Sequence, residues 1–559
     1  MLVFRNHQDS LPRGMSPASA PMAQNRFASE DVEVDVVVVG FGAAGSCAAI
    51  EARSQGAEVL VIDRFRGGGA TARSGGVVYF GGGSAQQKAA GYVDDPEQMF
   101  RYLALEVRDA VDEVTLRRFC QESLATLSWL ENLGVAFPPS RTAPAKTSYP
   151  MDDCTLYFSG NELAYPYSSA ARPAPRGHRV PGAGLTGPVL FTHLRRATER
   201  SGAQLRYCSR ALRLLTDTAG RVCGVEIVSL PEASFGARWH SLLFHLAAVG
   251  AIVNRRMIQA SQRALARLEA RLGRRWNVKA RSGVILCAGG FAFNPEMMKE
   301  YAPGFVKSMP LGTVGDDGGG ILLGQSVGGA VGQMDRCAAW RFINPPEAFT
   351  YGILVDAQGQ RICNEELYGA TLGERIAQRA GGHAFLVIDA EMAAKAREQI
   401  RRQQGAGFQK VSAFINLFLN RKKAMTLDDL AARCGMPGDA LAGTVEAYNS
   451  VALQGGPDAF GKAAALCRPI RTPPFYAINC DLANSKFLTP CLTLGGLRVD
   501  GFSGQVLRQD GSPIAGLYAA GRDAVGVASH SYISGLSIAD CIFSGRNAGR
   551  HAATARATS

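Results

Sequence analysis

Four valines, Val36 to Val39, follow Asp35 and run directly into glycine. A short, wholly apolar run of β-branched residues predicts a strand buried on both faces, as parallel sheets require. The Ala-rich stretch after Gly45 has the texture of a helix, and Glu58-Val-Leu-Val-Ile-Asp63 repeats the buried-strand pattern. Strand, helix and strand in that order predict a βαβ unit. A small-residue loop, Gly67-Gly-Gly-Ala-Thr71-Ala-Arg-Ser74-Gly75-Gly76, leads into a helical region reaching about Leu133. Residues 134–185 are rich in Pro, Gly, Ser and Tyr and predict a long irregular excursion, whose tyrosines (Tyr149, Tyr157, Tyr165, Tyr167) are candidates to line a cleft. From Leu205 to Val228 apolar and polar residues alternate around Asp217-Thr-Ala-Gly220, which predicts a hairpin. Another buried-strand pattern, Ser282 to Cys287, precedes Ala288-Gly289-Gly290-Phe291. A last one ends in Gly516-Leu-Tyr-Ala-Ala-Gly521-Arg522-Asp523. Residues 335–476 have a different texture, and no tandem repeat is present.

The first unit carries the strongest signal. Asp35-Val-Val-Val-Val-Gly40-Phe-Gly42-Ala-Ala44-Gly45 is a dinucleotide fingerprint in its full context. Gly40 permits the tight turn, Gly42 lets backbone approach a pyrophosphate, and Gly45 lets the helix lie close to the strand. The helix N-terminus offers N–H groups to phosphate oxygens. Asp63 ends the second strand where a ribose hydroxyl would be held.

Composition narrows the class. The chain has 559 residues, 47% of them hydrophobic, which suits a globular protein of more than one domain. The first 30 residues lack a long apolar core and read as a disordered arm rather than a signal peptide. Thirteen cysteines are scattered without metal spacing, which implies reduced thiols and a cytoplasmic setting. The net charge of +12 invites a nucleic-acid reading, but no nucleic-acid motif supports it. Part of the excess is local. Leu242 to Val253 is apolar, and nine basic residues with one acid, Glu269, lie between Arg255 and Arg281. An apolar stretch too short to span, followed by a basic helix, fits peripheral contact with an anionic membrane through residues 235–275. A buried helix followed by a solvated basic face is the alternative.

Taken together, these landmarks resemble the flavoprotein family that contains fumarate reductase and the 3-ketosteroid dehydrogenases. The resemblance runs from about residue 32 to 551, with the 235–275 insert outside it. It rests on the Gly40–Asp63 unit, the Thr71–Gly76 loop, Ala288-Gly-Gly-Phe291 and Gly315-Asp-Asp317-Gly. Arg361-Ile-Cys-Asn364-Glu365, Gly495-Gly-Leu497 and Gly516–Asp523 complete it. It implies an α/β fold: a Rossmann-like FAD-binding domain with an inserted α+β catalytic cap. After the arm at 1–30, residues 31–334 and 477–559 would form the FAD domain and residues 335–476 the cap. It implies FAD, held non-covalently because no histidine stands between Gly67 and Ser74. The cofactor residues it implies are Gly40, Gly42, Ala44, Gly45, Asp63, Arg64, Thr71, Ser74, Gly75 and Gly76, then Ala288, Gly289, Gly521, Arg522, Asp523, Gly535, Leu536 and Ser537.

The substrate rests on one segment. Where the fumarate reductase branch carries a His-Gly-x-x-Arg-type sequence, this chain reads Ser529-His530-Ser531-Tyr532-Ile533-Ser534-Gly535. The Tyr-x-Ser-Gly order is similar to the 3-ketosteroid 4-dehydrogenase branch, which acts on 5α-steroids. That similarity implies a 3-ketosteroid substrate, an external electron acceptor and three catalytic residues. Tyr532, helped by Gly535, would polarise the ketone; Ser534 and Tyr368 would take the proton from carbon 4; the hydride from carbon 5 would pass to flavin N5. As a structural alternative, Ser534 would be the N-cap of the next helix, Tyr532 would be a packing residue, and His530 would be structural or pocket-lining. Three further functions stay open: 3-ketosteroid 1-dehydrogenation or enone reduction, fumarate reduction, and non-catalytic FAD-dependent electron transfer.

Overall fold

The structure is a computed structural model that describes residues 32–139, 149, 154–231, 234–253, 255–402 and 407–555. The predicted arm at 1–30 lies outside the described residues. The fold begins with β1 (Val32–Val39), α1 (Ala43–Ser54) and β2 (Val59–Ile62), so the valine run is a buried strand as its pattern predicts. Three short strands, β3 (Val77–Tyr79), β4 (Leu156–Tyr157) and β5 (Gly177–Arg179), form a small antiparallel sheet from within and beside the irregular excursion. β6 (Gln204–Arg206) precedes the hairpin of β7 (Ser209–Thr216) and β8 (Val222–Ser229). The alternating region that predicts one hairpin is therefore divided. Leu205 pairs in parallel with Val61 of β2, and only the part from Ser209 onward turns back on itself.

The insert is a helical pair, α2 (Phe235–Val253) and α3 (Arg255–Leu272), followed by β9 (Arg274–Leu286). The predicted basic helix thus stops at Leu272. Arg274, Arg275, Lys279 and Arg281 belong to a strand that begins well before Ser282, because pairing with β8 extends its outer end. The middle of the chain contributes β10 (Ile353–Val355), α4 (Gly369–Arg379), β11 (Phe385–Ile388), α5 (Gly407–Phe418), β12 (Arg421–Ala424) and β13 (Phe475–Asn479). These strands form a separate sheet in the order β10-β11-β13-β12, antiparallel throughout. The chain then returns with β14 (Gln505–Leu507), β15 (Pro513–Ala519) and α6 (Leu536–Thr554).

That return completes the main sheet. Its order is β14-β15-β9-β1-β2-β6, with β8 paired to β9 and β7 to β8. β15, β9, β1, β2 and β6 run parallel, and the carboxyl ends of the first four converge around the Gly40 turn. Helices α1 and α6 pack closely because α6 turns glycines toward α1. A Cβ on Gly545 or Gly549 would lie 2.4 or 2.2 Å from the carbonyl oxygens of Ala44 and Ala48.

Buried carboxyls make this fold sensitive to pH. Asp540 of α6 is 5% exposed, and burial pushes its carboxyl up to about 7, against hydrogen bonds from the Val527 and Ala528 N–H groups. The folded protein therefore binds a proton there that the unfolded chain has released above about pH 4. By linkage, that contribution is largest at low pH and is lost as pH rises toward 7, at up to about 1.4 kcal/mol per pH unit. The melting temperature of Asp540→Asn should vary less between pH 5 and 7 than that of the wild type; an identical pH dependence would remove Asp540 as its source.

Candidate active site

A cleft of about 860 Å³ opens at the carboxyl ends of the parallel strands. Val39 and Gly40 line it after β1, Ile62 and Asp63 after β2, Cys287 and Ala288 after β9, and Ala520 and Gly521 after β15. Open α/β sheets place ligands in this position.

Gly40 holds φ at +103°, and a Cβ there would stand 2.3 Å from the Cys287 carbonyl oxygen. A Cβ on Gly45 would stand 1.9 Å from the Gly40 carbonyl oxygen, so the helix can start this close to the strand only with glycine there. Both conditions are backbone contacts with no side chain to yield. Gly40→Ala should therefore destabilise the protein by roughly 2–4 kcal/mol and sharply reduce bound flavin; normal flavin absorbance per chain in the purified variant would contradict it.

The Asp63 carboxylate is already spoken for in part. It accepts N–H bonds from Phe41 at 2.9 Å, Phe65 at 2.8 Å and Gly67 at 3.1 Å. Burial raises its pKa while those three bonds lower it. One acceptor direction remains for a ribose hydroxyl. Thr71 accepts from the Ala43 N–H at 2.9 Å and so braces the helix start, while Ser74 and Gly75 line the same wall. Arg522 has a buried Nη1 without a partner among the described residues, while its Nη2 is bound to Asp316. An orphaned guanidinium donor in the wall of such a cleft is the arrangement an anionic or carbonyl-bearing ligand satisfies.

Several implied residues take other positions. The Arg64 guanidinium is held by Glu269 at 2.7 Å and Asp317 at 2.8 Å. It pins the insert to the 315–318 loop instead of reaching freely to a ligand. Gly45, Gly76, Asp523 and Leu536 stand behind the lining, whereas the other implied cofactor residues reach it. The Asp523 carboxylate accepts from the Ala288 N–H, and burial pushes its pKa up to about 8. The insert also covers the cleft. Leu243, Phe244 and Ala247 of α2 pack with Phe65, Phe293 and Val314, and Phe244 joins the lining. His240 bonds Glu269 at 3.0 Å.

The three implied catalytic residues are brought together. Tyr368, Tyr532 and Ser534 all line the cleft, although Tyr368 is far from the others in sequence. Around the two tyrosines lie Leu311, Trp340, Phe342 and Leu492, so this part of the wall is apolar and aromatic. The Trp340 ring meets Tyr532 edge-on, with centroids 4.8 Å apart at 77°. Its Nε1–H donates to the Tyr368 hydroxyl at 3.2 Å. Burial pushes Tyr532 up to about 12, with the Arg522 charge and the Gly535 N–H acting the other way. Burial also raises Tyr368 strongly, and hydrogen bonds with Trp340 and Ser534 oppose that rise.

Ser534 is not a helix cap. The N-cap of α6 is Gly535, at φ +91°, and no side chain caps it. The Ser534 hydroxyl instead lies 2.8 Å from that of Tyr157, a fully buried residue of β4. The left-handed turn at Gly535 takes over the helix start and frees the serine to face the cleft. His530 faces away, in a small side cavity with Arg336 and Glu374.

Residues that no local motif announces hold this cluster. The Tyr368 N–H donates to Asn161 Oδ1 at 2.6 Å. Asn161 Nδ2 donates to Glu106 Oε1 at 2.7 Å, and the Ser531 hydroxyl donates to Glu106 Oε2 at 2.7 Å. One buried carboxyl therefore ties together the segments that carry Tyr368 and Tyr532. Burial raises the Glu106 pKa, against hydrogen bonds from Asn161, Ser531 and Tyr102. Only the tyrosine-rich texture of the excursion hints at Tyr157; Glu106, Asn161 and Trp340 carry no sequence signal.

The family model described as an FAD binding domain matches residues 35–538. The chain belongs to this family and is an FAD-dependent oxidoreductase. Within it, the chain is similar to 3-oxo-5-alpha-steroid 4-dehydrogenase of Comamonas testosteroni. The two are 39% identical over 87% of this chain and 92% of that protein. It is also similar to the crystal structure of 3-ketosteroid-delta4-(5alpha)-dehydrogenase from Rhodococcus jostii RHA1 in complex with 4-androstene-3,17-dione. There the TM-score is 0.77 with 32% identity, covering 95% of this chain and 99% of that one. A fumarate reductase (cytochrome) of Shewanella frigidimarina is more distant, at 26% identity over 93% of this chain and 77% of that protein.

Proposed function

We propose that this enzyme introduces the 4,5 double bond into 3-keto-5α-steroids in steroid degradation, passing electrons to an external acceptor. The observation that carries the reading is the placement of Tyr532, Ser534 and Tyr368 on one apolar, aromatic wall of the FAD cleft. In this reading residues 31–334 and 477–559 bind FAD non-covalently, and residues 335–476 form the cap over the substrate. The protein works in a reducing, cytoplasmic compartment, as its thirteen scattered cysteines suggest. No helix among the described residues is long and apolar enough to cross a membrane. Phe235, Trp239, Leu242 and Leu246 leave an exposed stripe on α2, which supports peripheral membrane contact through residues 235–275.

The residues divide the chemistry as follows. The neutral Tyr532 hydroxyl and the Gly535 N–H donate to the substrate's 3-keto oxygen and stabilise the charge that develops there. Polarisation acidifies the hydrogens on carbon 4. The Ser534 oxygen takes one of them as its own proton passes to the Tyr368 oxygen, and Tyr368, a neutral hydroxyl steadied by Trp340, releases its original proton to water in the cleft. Tyr157 holds the serine hydroxyl in line from behind. When bound, the flavin supplies the acceptor, N5, for the hydride leaving carbon 5.

The test is anaerobic mixing of holoenzyme with 5α-androstane-3,17-dione. Flavin bleaching together with a new enone absorbance is expected. Bleaching by 4-androstene-3,17-dione in its place would indicate 1-dehydrogenation. Oxidation of pre-reduced flavin by fumarate, with no bleaching by any 3-ketosteroid, would sink the reading.

A further inference from the structure

α5 shows two faces of unusual character. Ser412 and Ile415 line the cleft, and Gln409 Nε2 donates to the Tyr149 carbonyl beside it at 3.3 Å. The adjoining face is apolar yet open to solvent. Val411 is 59% exposed, Phe414 51% and Phe418 43%, and Leu419 just beyond is 60% exposed. The i, i+3, i+7 spacing of the first three makes a single stripe. The Phe414 and Phe418 rings pack against each other with centroids 4.7 Å apart, so the stripe is preformed. Leu488, 40% exposed, also lies in the cleft wall, so it is open to both solvent and cleft.

The surroundings are basic. From Gln399 to Leu427 the chain has no acidic residue and six basic ones: Arg401, Arg402, Lys410, Arg421, Lys422 and Lys423. The Lys486 ammonium reaches the Leu419 carbonyl at 3.5 Å, and Arg421 lies over the Phe418 ring at 5.7 Å. Exposed apolar groups with Lys486 and Arg421 placed beside them suit a lipid–water interface, where such cations reach phosphate while their stems lie on hydrocarbon. A docking surface for a protein partner would need acidic groups to answer these cations, and it would gain nothing from continuity with the cleft.

We propose that the outer face of α5, with Leu419 and Leu488, docks the enzyme on an anionic phospholipid bilayer and forms the entrance through which its apolar substrate passes from lipid to the cleft. This rests on the steroid reading above. It assigns the membrane to the cap, at the substrate entrance, as a surface separate from the α2 stripe.

The experiment uses the holoenzyme and vesicles of phosphatidylcholine, alone or mixed with phosphatidylglycerol. The wild type should sediment with the mixed vesicles and be released by high salt. Phe414→Ser/Phe418→Ser should bind them roughly tenfold more weakly while still bleaching with steroid supplied in free solution. It should also lose the wild type's advantage when steroid is presented inside vesicles. Wild type that ignores both vesicle types, or a double variant that binds as well as wild type, overturns the proposal. So does binding lost in Trp239→Ser/Leu242→Ser and kept in the α5 variant. So does a face that mediates concentration-dependent self-association without vesicle binding. Absence of bleaching in free solution would strike the steroid reading alone, leaving the vesicle result to decide docking.

Discussion

Tyr532→Phe is expected to retain FAD and to slow flavin reduction by steroid roughly 10²–10³-fold, the usual loss when one donor to a developing oxyanion is removed. The ring remains, so its edge-on contact with Trp340 at 4.8 Å is preserved and the wall keeps its shape. What disappears is a proton held in a dry site. With its pKa pushed up to about 12, Tyr532 stays a neutral donor throughout the ordinary working range of pH. No rate step from this group should therefore appear between pH 6 and 9. Stopped-flow reduction at saturating steroid separates the possibilities. A loss confined to KM would make Tyr532 a binding contact, and a loss of flavin would make it a structural one.

The second large effect is expected at the serine–tyrosine pair. Ser534→Ala and Tyr368→Phe should each slow flavin reduction roughly 10²–10⁴-fold, the range for loss of a positioned proton acceptor. Because the two act in one relay, the double variant should be little slower than the worse single one. Multiplicative losses would show that they do separate jobs. The structure makes this cycle informative because Ser534 has hydroxyls on both sides. Tyr157 lies 2.8 Å away, fully buried behind it, whereas Tyr368 lines the cleft and has its oxygen steadied by the Trp340 N–H. If Tyr157→Phe proves as damaging as Tyr368→Phe, the proton leaves by the buried side.

Much of this molecule is legible in its amino-acid sequence. The valine run, the glycine turn and Asp63 are local patterns, and local patterns express local physics: a strand buried on both faces, a backbone angle closed to other residues, a carboxylate after a strand. The hairpin at Asp217–Gly220 was legible for the same reason. The edges were less so. Leu205 joined a different strand, and Arg274 to Arg281 became sheet, because strand pairing is decided by neighbours distant in sequence. The same limit affected Ser534, which a propensity rule makes a helix cap. The left-handed turn at Gly535 overrides that rule and turns the hydroxyl toward Tyr157.

The sequence by itself determined the cofactor and the family, since a fingerprint and its companion motifs are written in contiguous residues whose backbone demands hold wherever they fold. It also named Tyr532, Ser534 and Tyr368 through resemblance. Only the tertiary structure decided that these three share one wall and that Glu106 and Asn161 bind their segments together. It alone showed Arg64 to be occupied by Glu269 and Asp317. It alone turned the outer face of α5 to solvent beside the cleft. Those facts depend on which distant segments the parallel sheet and the cap bring within a few ångströms, and contact of that kind leaves no period or spacing in the chain.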